Sequence, residues 1–136
     1  MLSDDWKKEA IKRFPEFSVE DHERWDSPHI AWQDITIAFR DAYKYPRNED
    51  FIKRVYEYAH WCMRQPEGRS ADDDLGSMTI VGFFEDVPTS EEAMKDMPRW
   101  FTLDQVIHME ETFSYMVGKE GFQKILKIYK EAQQAT

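Results

Sequence analysis

Four groups of side chains in this sequence have types and spacings that could do chemistry. Glu57 and His60 form a Glu-x-x-His pair, which on a helix shares one face, as in carboxylate-bridged metal bundles. A second copy on another helix would complete such a centre; the nearest is the reversed His108-x-x-Glu111. His108 with Glu110 is the second group, an acid and an imidazole that could serve a carboxylate-based hydrolase. The third is Glu85 with Asp86, a negative recess for a cation or a partner's Lys or Arg, with Arg99 the nearest local counter-charge. The fourth is the run Asp72, Asp73, Asp74; apart from these, Trp61 is a large aromatic on the polar face of its helix, beside Glu57, His60 and Arg64.

Each group has a plainer reading. Glu57 and His60 lie opposite the apolar stripe of their helix, beside Lys53 and Arg64, as a solvated, ion-paired face would. Asp72–Asp74 lack the Gly and distal Glu of a calcium loop and suit a helix start, where the dipole favours acids. Glu85 and Asp86 close a helix, where the dipole disfavours them, so a local ion pair with Arg99 would hold the loop. Glu110 falls among Leu103, Val106, Ile107, Phe113 and Val117 on one continuous helix, so it is expected to be partly buried and to need a donor. Trp61 is either packed by another segment or offered to a partner, a second copy of the chain included.

The elements that must position these groups are helices. The 136 residues suggest one domain, 1–136, and a core needing no staples. Aromatics are 15% of the chain, too much apolar mass for disorder, while five Gly and six Pro are too few for a turn-rich β fold. Ser3 is the expected cap of a first helix ending before Pro15, and residues 15–27 are irregular or one short helical turn. Ser27-Pro28 opens a helix to about Tyr43, and Asn48 caps another that ends at Pro66. Ser90 starts a short helix, Thr102 with Gln105 forms a capping box, and Gly118 is a C-cap before a last helix.

Between them lies Leu75-Gly76-Ser77-Met78-Thr79-Ile80-Val81-Gly82-Phe83-Phe84, whose apolar side chains fall all round a helical axis. A helix of that kind is buried. Seven residues, 78–84, also have the length and composition of a strand, but no second run offers a partner for the backbone. The expectation is therefore an all-α bundle of about six helices around a buried central helix at about 71–86, opened by Ser70 with Asp73 three residues on. Gly76 and Gly82 would mark close helix approach.

Charge narrows the function classes. A net charge of −9 repels phosphate backbones and anionic membranes, so the expected partner is another protein, basic where it meets this one. The single Cys62 excludes an internal disulfide and a multi-cysteine metal framework, and sits on an apolar helix face as an inert thiol would. No leader-like N-terminus and no apolar run near the ~18 residues of a membrane span is visible, so cytoplasm is the expected compartment. No cofactor motif is present: no phosphate-binding loop, nucleophile elbow or HExxH.

Ile80-Val81-Gly82-Phe83-Phe84-Glu85-Asp86-Val87-Pro88, followed by Met97-Pro98-Arg99-Trp100, resembles a pattern in small acidic bacterial helical proteins of a domain family of unknown function. Some similar small acidic proteins serve as immunity factors beside toxins. The resemblance spans the central third of the chain and implies a bacterial, cytosolic, helical protein with a protein partner. It transfers no active-site residue. Two functions follow as expectations: a non-enzymatic acidic module that binds a protein, or a small metal-dependent or carboxylate-based hydrolase.

Overall fold

The computed structural model describes residues 4–68, 70 and 74–134. The described residues are all-α, with nine α-helical segments, short 3-10 turns and one π-helical turn, and no strand among them. They fall into two compact units, divided between Phe83 and Phe84.

The first unit holds α1 (Asp5–Arg13), α2 (Val19–Arg24), α3 (Pro28–Ala42), α4 (Glu49–Met63) and α5 (Leu75–Thr79), which continues as a π-helical turn over Ile80–Phe84 whose last residue, Phe84, already belongs to the second unit. Local chemistry sets most ends. Pro28 takes the first position of α3, where its missing N–H costs nothing. The Asn48 side chain accepts from the Phe51 amide at 3.1 Å to open α4. α2 has a full capping box: Ser18 Oγ accepts from the Asp21 amide at 3.1 Å and Asp21 accepts from the Ser18 amide at 3.4 Å. Asp4, without a side-chain cap bond, stands at the N-cap of α1; the expected cap Ser3 lies outside the described residues, as does Asp73 of the box expected with Ser70.

The middle of the chain is helical, not extended. Leu75, Met78, Thr79 and Phe83 are buried, and Phe83 is the packing hub. Its ring stacks on Trp32 at 5.1 Å and meets Phe39 and Tyr56 edge-on at 5.0 and 5.3 Å. Burial is not all round, however: Val81 is 57% exposed. Thr36 Oγ1 donates to the Gly82 carbonyl at 3.0 Å, so α3 supplies a hydrogen bond within the π-helical turn.

Cys62 is fully buried on α4, and burial pushes its thiol up to about 12. Only the thiolate reacts with disulfide reagents. The native protein is therefore expected to show no reaction with Ellman's reagent at pH 8 and one equivalent after denaturation. A full equivalent from the native state would place the thiol at the surface.

The second unit contains α6 (Glu91–Asp96), α7 (Leu103–His108), α8 (Glu110–Ser114) and α9 (Gly118–Gln134), with 3-10 turns at Val87–Thr89 and Met97–Arg99. Phe101 is its centre, between Phe84 at 5.7 Å and Phe113 at 5.1 Å, and its carbonyl accepts from the Tyr129 hydroxyl at 2.8 Å. Thr102 and Gln105 form the expected capping box of α7. Gly118 has φ +71°, a left-handed conformation that glycine adopts without a Cβ penalty. The helix expected as one piece from Thr102 to Val117 is two, because Met109 leaves helical dihedrals at φ −101°, ψ 25°.

Candidate functional site

The break at Met109 decides the fate of Glu110. Instead of lying mid-helix on an apolar stripe, Glu110 is the first residue of α8 and is exposed, contrary to the expected partial burial. A carboxylate in a first turn is favoured by the helix dipole and stays hydrated, so it needs no buried donor. His108 is also exposed, and its Nδ1 donates to the Asp104 carbonyl at 3.0 Å. That bond fixes the tautomer and leaves Nε2 to solvent. Val106 and Phe113 carry the inward face of this segment.

Glu57 and His60 keep their shared face on α4, and both are exposed. Partial desolvation first, and Arg64 second, lower the His60 pKa, which favours the neutral ring a metal would need. A centre needs more ligands, and among the described residues no group of three or more His, Cys, Asp or Glu could hold a metal ion. Trp61, one residue on, is half-buried, and its ring stacks on Tyr58 at 6.0 Å and 11°. Its stacking partner lies one turn back on the same helix, and Trp61 remains partly accessible.

Asp74 is turned to local use. It accepts from Ser77 Oγ at 2.6 Å and from the Gly68 amide at 3.4 Å, and the serine bond first of all lowers its pKa. Asp72 and Asp73 lie outside the described residues.

Glu85 is half-buried, and burial raises its pKa; among the described residues no cation lies within ion-pair distance. Asp86 is held in a turn, where Thr89 Oγ1 donates to its carbonyl at 2.6 Å and to its carboxylate at 3.3 Å. Arg99 donates to both oxygens of Asp96, at 3.0 and 3.2 Å, and lies over the Trp100 ring at 5.0 Å. Trp100 Nε1 donates to the same carboxylate at 3.1 Å. Asp96 is 8% exposed, and the sequence reading passed it over. The clue was present as Asp96-x-x-Arg99-Trp100, an i, i+3 ion pair with an indole donor next to it.

The first unit has a comparable structural knot that no motif announced. Arg54 makes a bidentate pair with Glu16 at 2.7 and 2.5 Å, donates to Asp50 at 2.8 Å, and reaches the Arg13 carbonyl at 2.8 Å. The Arg54 bonds hold the Glu16 carboxyl below the usual range. The knot ties α4 to the end of α1 and to the loop after it, which is a structural task.

An open groove of about 650 Å³ runs between α6 and α9, with Met94, Val117 and Ile128 among its apolar lining. Lys95, Lys124 and Lys127 share its rim with Glu91, Glu120 and Glu131, so its charge cancels. No acid or histidine named from the sequence enters it. No helix among the described residues is long and apolar enough to cross a membrane. No protein-family model, curated protein or solved structure matches the chain.

Proposed function

We propose that this chain is a non-catalytic binding protein of the bacterial cytoplasm, whose acidic surface receives a basic protein in the manner of an immunity-type or regulatory partner. One observation carries this reading: the two acid–histidine pairs that could do chemistry, Glu57–His60 and His108–Glu110, lie on exposed helix and are not gathered in a recess. His108 and Glu110 stand on either side of a helix break, and Glu57 and His60 face solvent on α4 without a third ligand among the described residues. Catalysis by carboxylate and imidazole needs a desolvated, convergent pair. Electrostatic steering of a partner needs only a charge excess on the surface, and the chain carries −9. The hydrolase reading has no comparable support.

The test is isolation of the tagged full chain from the organism that encodes it, at low and at near-physiological salt, with metal analysis of the same preparation. The expected result is a stoichiometric complex with one basic protein, weakened by salt, and no stoichiometric metal. Stoichiometric bound metal, or a captured partner whose binding ignores salt, would sink the proposal.

A further inference from the structure

We infer that the partner docks on the stretch from Asp104 to Met116, and that the docking element is a basic amphipathic helix; this rests on the binding-protein reading above. Two independent observations meet there. First, the large apolar side chains left exposed among the described residues of the second unit are Ile107, Tyr115 and Met116, at 53%, 72% and 57%. Single exposed apolar residues are ordinary. Three within ten residues, on a segment whose Val106 and Phe113 are completely buried, are apolar side chains that their own unit does not use.

Second, the charge of this stretch has one sign. From Trp100 to Gly118 the sequence has Asp104, Glu110 and Glu111 and neither Lys nor Arg. All three acids are exposed. Apolar anchors among acids are complementary to leucine-like side chains among lysines or arginines. The same charge argues against other occupants. Two copies meeting through this face would oppose like charges, and an anionic membrane or a nucleic acid would be repelled. The break at Met109 separates Ile107, on α7, from Tyr115 and Met116, which follow α8.

The experiment titrates the isotopically labelled full chain with a synthetic 18-residue peptide of leucine and lysine, its leucines on one helical face, and follows backbone amide shifts. A peptide of the same composition with the leucines scattered is the control. Shifts concentrated in 103–117 are expected. Binding should weaken on the order of 10-fold for the scattered peptide, for I107S/Y115S/M116S and for D104N/E110Q/E111Q. Both triple variants alter exposed positions, so their circular dichroism and unfolding midpoints should match the parent. Shifts centred on another surface, equal affinity for the two peptides, or no binding of either would overturn the inference. So would concentration-dependent dimerisation through these residues without peptide. A peptide seated on another acidic surface removes this face but leaves the binding-protein reading standing, whereas stoichiometric metal removes that reading itself.

Discussion

Replacing Phe83 by Ala is expected to cost about 3–5 kcal/mol. The ring is fully buried, and three aromatic neighbours from two helices converge on it: Trp32 and Phe39 of α3 and Tyr56 of α4. Removing it takes away the transfer energy of a phenyl group and leaves a cavity that three large, fixed rings cannot collapse into. A domain of this size is stable by only about 5–15 kcal/mol, so the variant should be near its limit at room temperature. The neighbouring Val81 supplies the contrast. At 57% exposure, Val81→Ala should change stability by no more than about 0.5 kcal/mol. Urea unfolding followed by tryptophan fluorescence reads both. Similar losses for the two variants would mean that Phe83 is not where α3 and α4 are joined.

That contrast also marks how far the sequence could be read. Signals confined to a few neighbouring residues were legible, because the chemistry that makes them is local: Pro28 at the first turn of α3, Asn48 accepting from Phe51, Thr102 with Gln105, and the left-handed Gly118. The helical state of 75–84 followed from the want of a strand partner, which is also nearly local information. Its exposed side did not follow, because which side chain of an all-apolar turn faces water depends on where α3 lies. The π-helical turn has no composition signal of its own. Glu110 was misplaced for the same kind of reason. A wheel drawn through Met109 assumes continuous dihedrals, and one residue at φ −101° shifts the face of every residue after it. Asp96 and Arg54 show the remaining gap. Asp96–Arg99 is a short-range pair that a search for catalytic motifs ignores, while Arg54–Glu16 joins residues 38 apart and becomes visible only after folding.

Gly82→Ala should destabilise the protein by about 1–3 kcal/mol, although alanine is normally the better helix former by ~1 kcal/mol. A Cβ at position 82 would stand 2.8 Å from Trp32 Cβ and 3.1 Å from its Cγ. Carbon atoms do not approach that closely, so something must move. The Trp32 Cβ cannot swing away, because it is bonded to the backbone of α3. The ring beyond it is held between Phe83 at 5.1 Å and Tyr58 at 5.3 Å. The remaining response is for α3 to back off from the π-helical turn. That would stretch the 3.0 Å bond from Thr36 to the part-buried Gly82 carbonyl, a contribution of about 1 kcal/mol. Gly76 lies one and a half turns earlier and makes the opposite test. Its nearest neighbours to an added Cβ are Asp74 Oδ1 and Met63 Sδ, both at 3.8 Å, an ordinary contact. Gly76→Ala should therefore stabilise by about 0.4–1 kcal/mol, through the reduced freedom of the unfolded chain. Opposite signs for two Gly-to-Ala changes six residues apart would establish that α3 seats directly against residue 82. If both variants were stabilised, the approach of Trp32 to that turn would be looser than the geometry requires, and Phe83 would lose the fixed partner on which its own large effect depends.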